Sequence, residues 1–403
     1  FTSSISGLSP GTLYYYKVYA TDGTGTVYSS QSSFKTKFLQ ANSTGSFVYT
    51  PTGSLSSKPV TVYYRIPAGD VTTMPILFSF HGDDRDASNY RDYWTSMANT
   101  NGFMVFAPEF NAVDFIGGDG YQLGNVFDDG DNPSLANYNP TNEWTFSTID
   151  PLFDFIKSDV SGTQQTYDAW GHSGGAQFIH RFRMFMPNSK LNLAICSNAG
   201  WYTVPDILVN FPYGIKKSPL SNSSLTIPFS KKLIVHLGLN DIDENSSGLR
   251  RNTTVDTQQG LYRLVRGRYF FTKSQTIAQT VNFPFNWQKY EVAGIGHDAQ
   301  LMANDALKYL IESYLSLNEG FEEQSGTHFS AQAYPNPSNA DFTLKVSNTN
   351  FGFKVYDLQG RLMEQHQMIP TQSTTIGANY PAGIYPIMVT QDKQIKVFKL
   401  IKK

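Results

Sequence analysis

The sequence contains little charge and almost no cysteine. Its only cysteine is Cys196, which excludes an intrachain disulfide framework and a cysteine-rich zinc site. Lys and Arg total 31 while Asp and Glu total 33, so there is no basic excess to neutralise the phosphates of a nucleic acid. No apolar run approaches the roughly 18 residues that a membrane-spanning helix needs. The hydrophobic residues, 40% of the 403, are enough for a large core, and the length predicts more than one domain.

Residues 1–37 alternate apolar and polar side chains, a pattern that predicts β-strands. The segment Leu8-Ser-Pro-Gly-Thr-Leu-Tyr14 is similar to a motif in the last three strands of fibronectin type III domains. In such a domain Tyr14 would be the corner tyrosine, whose hydroxyl group bonds back to the preceding turn. We therefore predict a partial fibronectin type III domain over 1–37, acting as a spacer, and a Ser- and Thr-rich linker over 38–54.

From residue 55 to residue 317, short apolar runs alternate with helical patterns. This alternation indicates parallel strands joined by helices, in a mostly parallel sheet that is covered on both faces. Strands are expected over 60–67, 75–80, 103–107, 167–170, 191–197, 232–237 and 287–292, and a closing helix over 308–317. The sequence thus predicts an α/β fold for a central domain.

The alternation that is typical of strands returns after a polar linker over 318–328. Residues 329–403 resemble the type A sorting domain of the type IX secretion system of Bacteroidetes. Four motifs occur in the matching order: Tyr334–Pro337, Val355–Arg361, Pro381–Tyr385 and the basic segment Lys399–Lys403. The resemblance implies a C-terminal β-sandwich in a protein that is secreted or attached to the cell surface. The chain begins with Phe1 rather than Met, so the absence of a signal peptide says nothing about export.

A candidate nucleophile lies in the segment Gly171-His-Ser173-Gly-Gly175. The segment follows a predicted strand and precedes a predicted helix, which is the context in which G-x-S-x-G forms a nucleophile elbow. We therefore predict Ser173 as the nucleophile and the backbone N–H of Gly174 as one donor to the oxyanion. The second donor is expected on the loop after the strand 75–80, at the N–H of Asp83 or of Asp84, and Asp83 is preferred.

A serine hydroxyl is a weak nucleophile and needs a base. His297 lies in a glycine-rich loop between a predicted strand and a predicted helix, and it is the candidate base. The acid that orients the histidine is expected after the strand 232–237, where Asp241, Asp243 and Glu244 are available. Serine, acid and histidine then follow the order of α/β-hydrolases, which chymotrypsin and subtilisin do not share. We prefer Asp241, the first acid after the strand, and Asp243 is the alternative.

The central domain resembles the α/β-hydrolase superfamily, and within it bacterial esterases similar to polyhydroxybutyrate depolymerases and feruloyl esterases. The resemblance covers about 55–316 and rests on the elbow together with Phe80–Ala87, Tyr90–Asp92, Ala107–Phe110, Tyr121–Asn125, Asn198–Tyr202 and 259–267. It implies an α/β-hydrolase fold flanked by the partial fibronectin III β-sandwich and the C-terminal β-sandwich. Trp201, Tyr202 and His172 are further candidates for substrate binding, and packing within the core is the competing role of the two aromatic residues.

We predict a secreted serine esterase that hydrolyses carboxylic esters, favouring polyesters or plant-cell-wall esters, with the secretion machinery as its partner. No cofactor, nucleic-acid partner or membrane span is expected. No metal site is predicted either, because Asp128-Asp-Gly-Asp131 lacks the full spacing of a calcium loop. The alternatives are a serine peptidase on the same fold and a noncatalytic surface adhesin or carbohydrate-binding protein.

Overall fold

The computed structural model describes residues 5, 7–9, 11–319, 330–347, 350–357, 361–391 and 394–403. The chain divides into two compact units, Phe1–Glu291 and Val292–Lys403, and each is described by itself. Among the described residues, no helix combines the length and the apolar character that crossing a membrane requires.

Four short strands lie at the start of the first unit: β1 (Leu13–Tyr16), β2 (Tyr19–Asp22), β3 (Gly25–Tyr28) and β4 (Ser32–Lys35). Strand β1 pairs with β4, and β2 pairs with β3, both antiparallel. The hydrogen bond predicted for the corner tyrosine is present, since the Tyr14 hydroxyl accepts from the backbone N–H of Ser9 at 2.8 Å. The assignment of this segment to a fibronectin type III domain stays a prediction.

An eight-stranded sheet forms the centre of the fold. Its strands are β5 (Ser43–Tyr49), β6 (Val60–Ile66), β7 (Ile76–Phe80), β8 (Met104–Glu109), β9 (Tyr167–His172), β10 (Leu191–Ser197), β11 (Lys232–Gly238) and β12 (Trp287–Val292). The spatial order is β12-β11-β10-β9-β7-β8-β6-β5. Strands β8, β7, β9, β10 and β11 run parallel, while β5 and β6 are antiparallel to their neighbours. The mostly parallel α/β-hydrolase sheet predicted from the sequence is confirmed.

Burial along the strands follows their position in the sheet. Every residue of β7 and β9 is buried, as expected for central parallel strands that are covered on both faces. Strand β6, next to the antiparallel edge, alternates buried and half-buried residues because one of its faces is only partly covered. The polypeptide passes from β7 to β8 on one side and later to β9 on the other. The carboxyl ends of β7 and β9 therefore flank a switch in strand order, where α/β proteins bind ligands.

Among the described residues of the first unit, seven α-helices connect the strands: α1 (Ala87–Asn101), α2 (Gly117–Gly120), α3 (Ile149–Val160), α4 (Gly174–Phe185), α5 (Thr226–Ser230), α6 (Thr253–Gln259) and α7 (Arg263–Thr280). Helix α4 is buried along its whole length. Since a helix buried all round must be packed from every side, α4 is fixed in position. Its first residue follows the candidate nucleophile directly, so the packing of α4 also fixes the site.

The second unit contains α8 (Ala299–Glu319) and two antiparallel sheets. One sheet has the order β13-β14-β17, from β13 (Ala331–Tyr334), β14 (Phe342–Val346) and β17 (Ser373–Ile376). The other has the order β16-β15-β18-β19, from β15 (Phe351–Tyr356), β16 (Leu362–Ile369), β18 (Gly383–Gln391) and β19 (Gln394–Lys402). Apolar side chains of both sheets form one core, which confirms the predicted β-sandwich.

The two linkers predicted from the sequence have different outcomes. Residues 38–54 were expected to be a linker, yet β5 lies within them and pairs with β6 as the edge strand of the sheet. Its burial alternates only weakly, and Val48 is exposed, because an edge strand is covered on one face at most. The linker predicted over 318–328 lies outside the described residues from position 320 onward.

Candidate active site

Ser173 lies in the turn between β9 and α4, with φ 54° and ψ −116°. These angles are unfavourable for a residue with a side chain and are typical of strained functional turns. The turn is held at both ends: the Ser173 N–H donates to Ser197 O at 3.0 Å, and Gln177 N–H donates to Ser173 O at 3.1 Å. Ser173 is half-buried, whereas both its neighbours are buried. The strained turn therefore presents the serine at the surface of a rigid element.

Two glycines make this turn possible. A Cβ atom on Gly171 would lie 2.5 Å from the carbonyl carbon of Gly175, closer than van der Waals contact allows. A Cβ atom on Gly175 would overlap the carbonyl oxygen of Phe80 at the end of β7. The elbow therefore packs backbone against backbone, which leaves room only for glycine at these two positions.

The loop after β7 passes beside the elbow. The position of a Cβ atom on Gly82 is 3.7 Å from Ser173 Cβ, and that of a Cβ atom on Gly174 is 3.3 Å from the backbone nitrogen of Asp83. The backbone N–H groups of Gly174 and Asp83 are thus neighbours next to the serine. Proximity of two N–H groups is one requirement of an oxyanion hole, and it supports Asp83 rather than Asp84 as the candidate second donor.

The buried side chain of His81 fixes this loop through two hydrogen bonds. Its Nε2 accepts from the backbone N–H of Phe110 at 3.0 Å, so Nδ1 carries the proton and donates to Gly82 O at 2.8 Å. The side chain is fully buried, and this burial lowers the pKa of His81 to about 3. The Tyr121 hydroxyl donates to His81 O at 2.8 Å. A neutral histidine and a tyrosine therefore fix the backbone from which the Asp83 donor extends.

Gln122 is a further residue beside the elbow that no sequence motif identifies as a site residue, although it lies within the segment Tyr121–Asn125. Its side-chain Nε2 donates to Asp83 Oδ1. The same atom is 3.1 Å from the position of a Cβ atom on Gly174. Only the resemblance of the surrounding segment to known esterases indicated this residue, because a lone glutamine in a loop has no chemical signature in a sequence.

The three candidate acids differ in their surroundings. Asp241 lies just beyond β11, is buried, and its Oδ1 is 3.6 Å from Nη1 of Arg263. Arg263 is equally buried, and burial lowers the pKa of its guanidinium group while the Asp241 carboxylate opposes that shift. Asp243 and Glu244 are exposed. An acid that orients a catalytic histidine is normally buried, so these surroundings favour Asp241.

The candidate base, His297, belongs to the second unit, where it lies between the end of β12 and the start of α8. Its side chain is exposed. The next residue, Asp298, caps the helix: its Oδ1 accepts from Leu301 N–H at 2.8 Å. A capped helix start fixes the backbone beside His297, which leaves Asp298 with a structural role.

The three candidates for substrate binding are placed differently. Trp201 is 6% exposed and lies between the guanidinium groups of Arg181 and Arg250, 4.2 and 4.8 Å from its ring centre. Tyr202 is fully buried and stacks on Phe270 with ring centres 4.5 Å apart. A ring buried in this way has no surface for a substrate, so packing is the role that the structure gives Tyr202. His172 is buried at the end of β9.

Comparison with solved structures identifies the fold. Poly(aspartic acid) hydrolase-1 from Sphingomonas sp. KT-1 is 34% identical, and the match covers 67% of this chain and 98% of that one, with a TM-score of 0.63. The chain belongs to the α/β-hydrolase superfamily. It is a hydrolase of the serine hydrolase and esterase class. A poly(3-hydroxybutyrate) depolymerase from Bordetella parapertussis is 25% identical, with 68% of this chain and 91% of that one covered and a TM-score of 0.62.

The C-terminal part of this α/β-hydrolase has a separate relationship. The family model of the secretion system C-terminal sorting domain matches residues 332–403, which confirms the type IX sorting domain predicted from the sequence. The hydrolase is therefore secreted or attached to the cell surface. No curated protein matches the chain.

Proposed function

We propose that this hydrolase is a serine esterase with Ser173 as its nucleophile. The observation that carries the proposal is the strained elbow, which presents Ser173 beside the backbone N–H groups of Gly174 and Asp83. Two backbone N–H groups that lie close together beside a serine are suited to one task in ester hydrolysis. They stabilise the negative charge that forms on a carbonyl oxygen when the serine attacks it.

The reaction proceeds in two steps. In the first, His297 accepts the Ser173 proton while the serine oxygen bonds to the ester carbonyl carbon, and the imidazolium then gives the proton to the departing alcohol. In the second, His297 activates a water molecule that attacks the acyl-enzyme, and the proton returns to Ser173 as the acid leaves. Asp241 orients the imidazole and stabilises its charged form. The burial of Asp241 and the exposure of Asp243 support this assignment.

The substrates that we propose are esters of polymeric or oligomeric chains, such as polyhydroxyalkanoates or plant-cell-wall esters. Two findings support this choice. The sorting domain gives the enzyme an extracellular location, where substrates too large to import are met, and a relative of 25% identity is a poly(3-hydroxybutyrate) depolymerase. An acyl-enzyme mechanism suits such chains, because only one ester group at a time must reach Ser173.

A second candidate function is hydrolysis of amide bonds in a poly(aspartic acid), since the relative of 34% identity is a poly(aspartic acid) hydrolase. The charge around the oxyanion loop counts against it. Asp83 and Asp84 are both exposed there, and a polyanion would meet two like charges next to the reacting carbonyl. We therefore rank ester hydrolysis first.

The test is a substrate panel with the wild-type protein and the Ser173→Ala variant. The panel contains p-nitrophenyl acetate and butyrate, a feruloyl ester, 3-hydroxybutyrate oligomers, poly(aspartic acid) and a peptide. We expect wild-type activity on the esters and a loss of several orders of magnitude in Ser173→Ala. We also expect a fluorophosphonate probe to label the wild type and not the variant.

Three outcomes would contradict the proposal. More than about one per cent of ester activity in a folded Ser173→Ala variant would exclude Ser173 as the nucleophile. Peptide cleavage without ester cleavage would favour the peptidase. No labelling and no turnover in the wild type would favour a noncatalytic adhesin or carbohydrate-binding protein.

A further inference from the structure

Gln122 bonds to the side chain of one proposed oxyanion donor residue, Asp83, and lies beside the other, Gly174. We propose that it is a positioning residue, which holds the Asp83 carboxylate aside so that the Asp83 backbone N–H faces the oxyanion. The inference rests on the proposed function of Ser173. Gln122 is 5% exposed, its Nε2 donates to Asp83 Oδ1, and the same nitrogen lies 3.1 Å from the position of a Cβ atom on Gly174.

The need for such a residue follows from charge. Asp83 supplies an N–H donor to a negatively charged oxygen and carries a negative charge on its own side chain. A carboxylate free to turn toward the oxyanion would raise the energy of the transition state, because two negative charges would then lie close together. The neutral side-chain amide of Gln122 donates to Oδ1 and so fixes the orientation of this carboxylate. It does so without placing a cation beside the reacting carbonyl.

The second carboxylate oxygen points in another direction. Asp83 Oδ2 is 3.8 Å from the position of a Cβ atom on Gly248, on the loop that follows the candidate acid. The positive charges of Arg85 and Arg263 also interact with the Asp83 carboxylate. Among the described residues, Gln122 supplies the hydrogen bond that fixes Oδ1.

The backbone of Gln122 is anchored by a hydrogen bond from a buried arginine. Its carbonyl oxygen accepts from Nη1 of Arg181 at 3.1 Å, and Nε of Arg181 donates to the Thr203 hydroxyl at 2.7 Å. Arg181 is fully buried, so this anchor is rigid. The side-chain Oε1 of Gln122, by contrast, is buried and has no hydrogen-bond partner among the described residues. Among the described residues, the side-chain amide of Gln122 is therefore oriented by the hydrogen bond that its Nε2 donates to Asp83.

The test is a double-mutant cycle between Gln122 and Asp83. The Asp83 donor is a backbone group, so Asp83→Ala keeps the N–H and removes only the carboxylate. With p-nitrophenyl acetate, we expect Gln122→Ala to lower kcat about 10- to 100-fold, less than the roughly 10²–10³-fold cost of losing a donor outright. KM should change less than twofold. In the Asp83→Ala background, Gln122→Ala should cost less than threefold, because the contact that it removes is already gone.

Two further variants complete the design. Gln122→Glu keeps the length of the side chain but replaces the donor by a carboxylate, so we expect it to lose at least as much kcat as Gln122→Ala. The matched control is Gln164→Ala. Gln164 also donates through Nε2, to Met74 O at 2.7 Å, and its Oε1 is likewise buried without a hydrogen-bond partner among the described residues. It precedes β9, at the amino end of that strand. We expect unchanged kcat and KM in Gln164→Ala.

The outcomes separate the two proposals. An equal loss of kcat from Gln122→Ala in the wild-type background and in the Asp83→Ala background would overturn the positioning role. A raised KM with unchanged kcat would overturn it too. Ser173→Ala is measured in the same assay. If that variant is inactive and the coupling is absent, only the role of Gln122 is wrong. If Ser173→Ala is active, the proposed function is wrong.

Discussion

Asp241 and Asp243 are two residues apart on one loop, yet they differ in solvent exposure and in partners. The Asp241 side chain is 2% exposed and forms an ion pair with the equally buried Arg263. Asp243 is exposed and accepts from the backbone N–H of Asn245 at 2.9 Å, which closes a local turn. A buried carboxylate keeps one orientation, whereas an exposed one is free to follow the solvent. Only the first can hold an imidazole in one tautomer.

We therefore predict different costs for removing the charge at these two positions. Asp241→Asn should lower kcat by up to about 10⁴-fold, because an amide stabilises the wrong imidazole tautomer. Asp243→Asn should lower it tenfold at most, through disturbance of the loop. The measurement is kcat for both variants on one ester at one pH, with circular dichroism as the control for folding. A loss of thousands-fold in Asp243→Asn alone would move the acid to that position.

At the scale of secondary-structure elements, two buried histidines join segments that meet at the site. His81 links the end of β7 to Phe110 after β8. His180, on α4, donates from Nδ1 to Ala176 O at 2.9 Å and accepts at Nε2 from Thr203 N–H at 3.0 Å. Both are fully buried, and burial lowers the pKa of His81 to about 3 and that of His180 well below 6.5. In mild acid, both histidines therefore stay neutral in the folded protein, whereas in the unfolded chain they would bind protons.

This difference predicts a loss of stability in mild acid. Below pH 6.5 the unfolded chain gains a proton at each histidine and the folded chain does not, so the free energy of unfolding falls as the pH falls. Each histidine should contribute about 2 kcal/mol to the decrease between pH 7 and pH 5, at about 1.4 kcal/mol per pKa unit. Urea unfolding at the two pH values measures it. His180→Gln should be less stable at pH 7 but show a smaller decrease toward pH 5, and an unchanged decrease would refute the assignment.

The strands of the sheet were largely predictable, and the residues around the nucleophile were only partly so. Strands β10 and β12 have the predicted bounds, because buried parallel strands read as continuous apolar runs. Strand β5 was missed, since an edge strand rich in Ser and Gly carries no such run. The elbow and the oxyanion loop were indicated by local motifs. Gln122 and Arg263 were not, because their contacts with Asp83 and Asp241 join segments that are distant in the sequence and only folding brings together.

At the scale of the whole molecule, we predict that the sorting domain and the hydrolase residues are separable in function. Ser173, Asp83 and Asp241 lie in the first unit, and His297 lies in the second unit, before the sandwich begins. Residues 330–403 form a sandwich with its own apolar core, in which Phe342, Leu344 and Val389 are fully buried. A separate core is the requirement for a module that folds by itself. The boundary that we predict for the catalytic domain, residues 55–317, leaves this module outside it.

Removing residues 329–403 should therefore leave kcat on a soluble ester within about twofold and should stop export in a host with a type IX system. The reason is that every residue assigned to the reaction lies before this segment. The purified truncated protein is assayed beside the full chain, and the culture medium and cells are fractionated. A truncated protein that folds but loses activity would show that the catalytic domain extends into the sandwich.

The strain at Ser173 also bears on what mutation and selection do to this protein. A residue held at φ 54° and ψ −116° costs the fold about 1–3 kcal/mol, and glycine would adopt the same angles with little penalty. In a chain used only for adhesion, a serine-to-glycine change here would stabilise the protein at no cost to function, and genetic drift would be free to accept it. The strained angles are therefore explained if the hydroxyl group of Ser173 has the role that we propose for it.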